Sequence, residues 1–257
     1  MSEPLLSAAG LSHHFADIVA CDDVSLELHR GEVLGIVGES GSGKTTLLRC
    51  LSGQLAPTHG TIRFLSDSLG PVDLFGLEER HRRSLLRHEI GFVHQHPHEG
   101  LRMRVSAGGN VGERLMANGA RHYADIRATA SQWLRDVELP TGRLDELPLT
   151  YSGGMRQRLQ IARVLVAEPQ VVLMDEPTGG LDVSVQARLL DLIRSLVRRL
   201  SLSVIVVTHD LGVVRLLADR LMVMRDGNVV ETGLTDQVLD DPQHPYTQLL
   251  VSSVLQI

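Results

Sequence analysis

The stretch Val33–Cys50, VLGIVGESGSGKTTLLRC, decides how the rest of the chain is read. Val33-Leu34-Gly35-Ile36-Val37 is a short apolar run, the pattern of a buried parallel strand. Thr46-Leu47-Leu48-Arg49 begins a helical pattern. Between them, Gly38-Glu39-Ser40-Gly41-Ser42-Gly43-Lys44-Thr45 has a glycine, four further residues and then Gly-Lys-Thr, the spacing of a phosphate-binding loop. The order has a physical reason. Glycines let the backbone curl until successive N–H groups face one anion, and the helix behind adds its positive end. Lys44 is placed to reach the β- and γ-phosphates of a nucleotide, and the Thr45 hydroxyl to sit on Mg²⁺.

Composition bounds what surrounds this loop. With 257 residues the chain suits one large domain, or one domain with a subdomain. It is 43% hydrophobic but only 3% aromatic, so its core must be aliphatic, as in a Val/Ile/Leu-rich α/β sheet. A net charge of −6 argues against a general nucleic-acid binder, which needs a basic face. Two cysteines, Cys21 and Cys50, are too few for a disulfide framework and suit a reducing compartment. The start, MSEPLLSAAG, lacks the pattern of a signal peptide, and no apolar run is long enough for a spanning helix. The expectation is a cytoplasmic protein without direct membrane insertion.

Upstream, residues 5–31 read as antiparallel β, with Val24–Leu28 alternating and a turn at His29-Arg30-Gly31-Glu32. Phe15 lies in this layer, either stacked on an adenine ring or as an ordinary core residue; the residues alone leave both open. Downstream, Thr46–Leu55 reads as helix, Ala56–Gly60 as a turn, Thr61–Leu65 as a strand and 66–77 as loop. Leu77–His88 is a charged surface helix. Ile90–Val93 is a strand that delivers His94-Gln95-His96-Pro97-His98. In an extended conformation the three histidines share one side, but Pro97 interrupts it and no carboxylate or cysteine completes a ligand set. Gln95, just past a core strand, can point into a nucleotide site.

Residues 99–150 carry helical periodicity and no strand signal, with Trp133 on a core face. Tyr151-Ser152-Gly153-Gly154-Met155 then opens a long helix. Ser152 suits its N-cap, and the glycines leave amides uncovered for an anion. Val171–Asp175 is a continuous apolar strand ending in Asp175-Glu176, a costly place for acids unless they meet a cation or water. Asp175 suits Mg²⁺, and Glu176 suits polarising an attacking water. Gly179-Gly180-Leu181-Asp182 leads into helix Val183–Leu200, with Val185, Leu189, Leu192, Ile193, Leu196 and Leu200 as its apolar face. Ser203–Val207 is another buried strand, ending in Thr208-His209-Asp210 at the ligand-binding edge of a doubly wound sheet. A hairpin turns at Asp226-Gly227, and the tail holds an exposed loop, 240–246, before a final apolar helix.

These motifs, in this order and over essentially the whole chain, resemble the ATP-binding-cassette ATPases. The resemblance implies an α/β fold: a P-loop ATP-binding-cassette nucleotide-binding domain with an N-terminal antiparallel β layer and an inserted helical subdomain. Residues 1–95 and 165–235 would form the catalytic core, 96–164 the helical subdomain and 236–257 a C-terminal tail. ATP and Mg²⁺ are the implied ligands. Gly38, Ser40, Gly41, Gly43, Lys44, Thr45 and Thr46 match the phosphate loop, and Phe15 falls at the adenine-stacking aromatic. Thr45, Gln95 and Asp175 match the magnesium residues. Glu176, His209 and Gln95 match the general base, the switch histidine and the switch glutamine. Ser152, Gly153 and Gly154 match the family signature, and Asp182 the acid of the loop after the base. Met155 departs from the glutamine usual after Ser-Gly-Gly, which removes a side-chain hydrogen bond but no backbone amide.

Within the family, VHQHPHEGLRMRVSAGGN, YSGGMRQRLQIAR and DDPQHPYTQLLVSSVLQ resemble the ATPases of carbon–phosphorus lyase systems for phosphonate breakdown. HPYTQLL is also similar to ATPases of peptide importers. The first resemblance implies a head-to-tail homodimer acting on a soluble carbon–phosphorus lyase core complex, and the second a membrane permease as partner. Arg102 and Arg104 are expected to help dock the soluble complex.

Overall fold

The continuous apolar runs become the middle of a six-stranded sheet, and the alternating runs a four-stranded sheet beside it. In the computed structural model, which describes residues 3–254, the chain opens with the antiparallel pair β1 (Leu6–Phe15) and β2 (Ile18–Leu28). The phosphate-loop unit follows as β3 (Val33–Val37) and α1 (Lys44–Leu51). Then come β4 (His59–Ser66), β5 (Gly70–Asp73), α2 (Glu79–His88) and β6 (Ile90–Val93). A helical stretch holds α3 (Pro97–Gly100), α4 (Ala107–Ala117), α5 (Tyr123–Asp136) and α6 (Gly153–Leu165). The chain returns to the sheet with β7 (Val171–Asp175), α7 (Val183–Leu200), β8 (Ser203–Thr208) and α8 (Leu211–Leu217). It closes with β9 (Arg220–Arg225), β10 (Asn228–Leu234), α9 (Thr235–Asp240) and α10 (Pro245–Val254).

The large sheet runs β10-β9-β3-β8-β7-β6, parallel except for β10. Strands β3, β7 and β8 are buried at every residue, which is why their sequences carry no alternation. Their side chains still alternate between two cores. Val33 and Val37 join a cluster with α4–α7, whereas Leu34 and Ile36 join one with α1 and the antiparallel sheet. Register pairs Val37 with Thr208, Asp175 with Val207 and Val93 with Met174. The carboxyl ends of β3, β8, β7 and β6 therefore meet at one edge, and every loop they launch opens on the same side.

Three expectations differ from the structure. Residues 66–77 hold the short edge strand β5, paired with β4; Gly70-Pro71-Val72-Asp73 is too short and too poor in apolar residues to signal it. In α7 the buried face includes Leu190, while Leu200, in the last turn, is 40% exposed. The tail segment 240–246 is not wholly exposed, because Tyr246 is buried at the start of α10. Residues 255–257, the end of the expected final helix, lie outside the described residues.

Both cysteines are free and fully buried. Burial raises the Cys21 thiol and pushes that of Cys50 up to about 12, so neither forms a thiolate near neutrality. A thiol-specific disulfide reagent at pH 8 should release nothing from the folded chain and two equivalents after unfolding in guanidinium. A fast equivalent from folded protein would contradict this burial.

Candidate phosphate-binding site

The edge where the four strands end opens into a cavity of about 700 Å³. One wall is the loop after β3. At Gly43 φ is +96°, and a Cβ would lie 2.0 Å from the Ala20 carbonyl oxygen, so glycine is demanded there by both conformation and space. Lys44 begins α1 with its ammonium folded back inside the loop. Its Nζ donates to the Gly38 carbonyl at 2.8 Å, the Glu39 carbonyl at 2.7 Å and Ser42 Oγ at 3.2 Å. Burial lowers its pKa, against the attraction of Glu176, Asp175 and Glu39.

Of the two acids that end β7, Glu176 lines the cavity and Asp175 lies behind Thr45. Asp175 ends β7 at 5% exposure, and its Oδ1 accepts from the Thr45 hydroxyl at 3.0 Å. Burial raises its carboxyl, the expected response of an acid without a full counter-charge. Among the described residues no three of His, Cys, Asp and Glu converge as a metal-ligand set. A hydroxyl beside one buried carboxylate nevertheless suits a hard divalent cation that takes its other ligands from phosphate oxygens and water.

Glu176 follows with φ at +39°, an uncommon conformation for a side chain of this size. Its N–H donates to the Val207 carbonyl at 2.8 Å, which holds the residue in that turn and aims the carboxylate into the cavity. Both carboxylate oxygens have neighbours. Gln95 Nε2 donates to Oε2 at 3.0 Å, and His209 Nδ1 lies 3.0 Å from Oε1. Residues launched by β6, β7 and β8 thus form one line. Such a carboxylate can accept a proton from water, with the amide and the imidazole setting its direction.

Of the aromatic alternatives for Phe15, the core one does not hold. The ring is 49% exposed at the cavity mouth, with Ile18 and Val19 beside it. An exposed apolar wall next to a phosphate loop can receive a flat base. The histidines of 94–98 do not line up as an extended strand, since Pro97 starts the α3 turn. His96 and His98 stack at 5.5 Å between centroids, while His94 faces Glu99 at 3.4 Å. Burial lowers the His94 pKa.

Ser152, Gly153, Gly154 and Asp182 are not among the residues lining this cavity. The Ser152 hydroxyl caps α6 by accepting from the Met155 N–H at 3.3 Å, and Asp182 caps α7 by accepting from the Val185 N–H at 2.9 Å. Met155 Sδ receives a contact from Arg143 Nη1 at 3.4 Å. A second group was missed by sequence reasoning. Gln160, fully buried on α6, grips the residue before Gln95 at both ends: its Oε1 accepts from the His94 N–H at 2.8 Å, and its Nε2 donates to the His94 carbonyl at 3.0 Å. The helix that opens at Ser152 is therefore tied to the Gln95 segment. Two buried glutamines, Gln157 and Gln160, on an otherwise apolar helix face were the available signal.

Known proteins with these features agree in kind. The ABC transporter family profile matches residues 21–179, and that of the oligopeptide/dipeptide transporter C-terminal region matches 230–257. The chain is 66% identical over 256 residues to the phosphonates utilization ATP-binding protein PhnK of Escherichia coli (strain K12), covering 100% of both. It is 38% identical to a peptide import ATP-binding protein of Brucella ovis, over 98% of this chain and 78% of that one. Among solved structures, the dimeric post-hydrolysis state of the ATP-binding cassette MJ0796 with ADP and Pi superposes with a TM-score of 0.79 at 29% identity, over 90% of this chain and 98% of that chain. The cbiO1 protein of Clostridium perfringens, part of the cbiONQ transporter complex, gives 0.80 at 30% identity, over 93% and 92%.

Proposed function

The chain belongs to the ABC transporter family of ATP-binding cassettes, and from that premise we propose that it is the ATP-hydrolysing subunit of a carbon–phosphorus lyase system for phosphonate catabolism. The observation that carries this reading is the 66% identity to a phosphonates utilization protein along the full length of both chains. The peptide import relative is more distant, and this chain spans only 78% of it. The second reading, an importer ATPase, is favoured by the match of 230–257 to the oligopeptide/dipeptide transporter C-terminal region.

In this proposal ATP lies along the cavity, with its base against Phe15 and its phosphates on the loop Gly38–Thr46. Ser40, Gly41 and Gly43 belong to the loop that cradles them, and Lys44 leaves its carbonyl partners for the β- and γ-phosphates. Thr45, Asp175 and Gln95 would hold Mg²⁺, which supplies charge neutralisation for the transferring phosphoryl group. Glu176 takes the proton of the attacking water, while Gln95 and His209 orient its two oxygens. Met155 leaves the amides of Ser152-Gly153-Gly154 intact, so it affects turnover more than binding.

The capping residues find their use in a second copy. Ser152, Gly153 and Gly154 start a helix outside the lining of the chain's own cavity, and Asp182 stands at another such start. In a head-to-tail homodimer they would cover the γ-phosphate held by the partner. The dimeric cassette with ADP and Pi supports a dimer as the working form. Segment 96–164 would then act as a helical subdomain on the core formed by 1–95 and 165–235, with 236–257 as a tail. Gln160 passes the state of Gln95 to that subdomain. No described helix is long and apolar enough to cross a membrane, and in this reading the dimer works in the cytoplasm on a soluble lyase core complex.

Co-purification tests the partner. The tagged full chain, taken with ATP and Mg²⁺ from cells using a phosphonate as phosphorus source, should bring down a soluble phosphonate-degrading complex. Arg104 is exposed in the turn between α3 and α4, and Arg102 is exposed but paired with Glu113 at 2.7 Å. Arg102→Glu with Arg104→Glu should abolish that recovery and leave ATPase activity of the free chain nearly intact. Unchanged recovery by the double variant removes these arginines from the docking surface. Recovery of an integral membrane permease in place of the complex overturns the lyase reading in favour of the importer.

A further inference from the structure

The tail reaches back to the phosphate loop. Tyr246, in the first turn of α10, is 4% exposed, and its hydroxyl accepts a hydrogen bond from the Glu39 N–H at 3.0 Å. The peptide that carries this N–H is Gly38–Glu39, whose other end is the Gly38 carbonyl. That carbonyl accepts from Lys44 Nζ at 2.8 Å. One peptide plane at the head of the loop is therefore held from both sides, by the lysine at its oxygen and by the tail tyrosine at its nitrogen. The plane is also tightly placed. At Gly38 φ is +154°, and a Cβ would lie 2.1 Å from the Met224 carbonyl oxygen.

The tyrosine is itself fixed by parts of the fold distant from the loop in sequence. The Arg225 guanidinium lies over its ring, 5.0 Å from the centroid. Its own N–H donates to His244 Nδ1 at 3.1 Å. Glu231 on β10 anchors the approach, its Oε1 accepting from the Gln243 N–H at 2.8 Å and its Oε2 from the His244 N–H at 3.0 Å. One helical turn beyond Tyr246, Leu250 lines the cavity. Helix α10 thus reaches the cavity through Leu250 and its loop through Tyr246.

We propose that Tyr246 is a positioning residue for ATP, holding the Gly38–Glu39 peptide in its binding orientation when Lys44 turns from the loop carbonyls to the phosphates. This rests on the reading of the cavity as an ATP site. Without nucleotide the lysine and the tyrosine share the task. Once the ammonium is engaged elsewhere, the tyrosine hydroxyl is the hold that remains on this plane. The tail, bound through Arg225 and Glu231, so becomes a determinant of nucleotide affinity.

Tyr246→Phe keeps the ring under Arg225 and removes only the acceptor. It should weaken binding of a fluorescent ATP analogue about 3- to 10-fold, the worth of one hydrogen bond. KM for ATP should rise by the same factor with kcat unchanged, since ground and transition states lose the contact equally. Hydrogen exchange at the Glu39 amide should accelerate, while the melting temperature without nucleotide, measured alongside, reports an intact fold. A folded Tyr246→Phe chain with parental affinity and parental Glu39 exchange overturns the inference, as does a loss confined to kcat. A parental chain that binds no nucleotide overturns the reading of the cavity itself, and the inference with it.

Discussion

Glu176→Gln should bind ATP as the parent does and hydrolyse it about 10²- to 10⁴-fold more slowly, the range expected for loss of a positioned general base. The substitution changes one oxygen for an amide nitrogen of similar size, so the turn at φ +39° and the bond from its N–H to Val207 should survive. The proton acceptor is lost. Because the γ-phosphate then persists, the variant should also accumulate as an ATP-held dimer, with twice the monomer mass by light scattering, and fall apart in ADP. That outcome is expected from the proposed head-to-tail dimer, in which Ser152-Gly153-Gly154, outside the cavity of their own chain, would meet the phosphate held by a second copy. Phosphate release at the parental rate would remove Glu176 from the base role. Equal mass in ATP and ADP would remove the shared site.

Lys44→Ala is expected to act on the other term, affinity. Its ammonium makes three hydrogen bonds inside the loop, and burial already disfavours its charge. Removing it should cost the folded chain little, because the two loop carbonyls belong to residues lining the cavity, where water can replace the donor. Removing it from the complex leaves phosphate charge unanswered in a partly buried site. Truncation of one member of such a pair costs about 2–5 kcal/mol, so ATP binding should weaken roughly 30- to 5,000-fold. Calorimetric titration checks the affinity, and a thermal melt without nucleotide checks the fold. ATP binding within a few-fold of the parent would place the phosphates elsewhere. Glu176→Gln and Lys44→Ala thus separate chemistry from binding at the same cavity.

How much of this could be seen without coordinates depends on range. The loop Gly38–Thr45 is legible because its glycines and lysine lie within eight residues, and backbone curvature there is a local property. The buried strands around it are legible for a related reason: continuous apolar runs bounded by polar loops have few other uses. Asp175 and Glu176 stand out because acids at the end of such a run demand a partner. Elements without a local signature escaped. β5 exists because β4 offers it an edge, and α7 buries Leu190 in place of Leu200 because of where the helix meets the core.

What the sequence by itself determined is the chemistry on offer: a phosphate loop, paired acids, a glutamine and a histidine at strand ends, and a capped helix ready for an anion. Tertiary structure alone decided which of these meet. Gln95 and His209 each come within 3.0 Å of a Glu176 carboxylate oxygen because parallel pairing of β6, β7 and β8 brings their carboxyl ends to one edge. The same packing leaves Ser152 and Asp182 outside that cavity and exposes Phe15 at its mouth. Gln160 on His94 and Tyr246 on Glu39 are contacts across 66 and 207 residues. No local propensity encodes a hydrogen bond at that separation; it exists only once the sheet and its helices have fixed where each backbone lies.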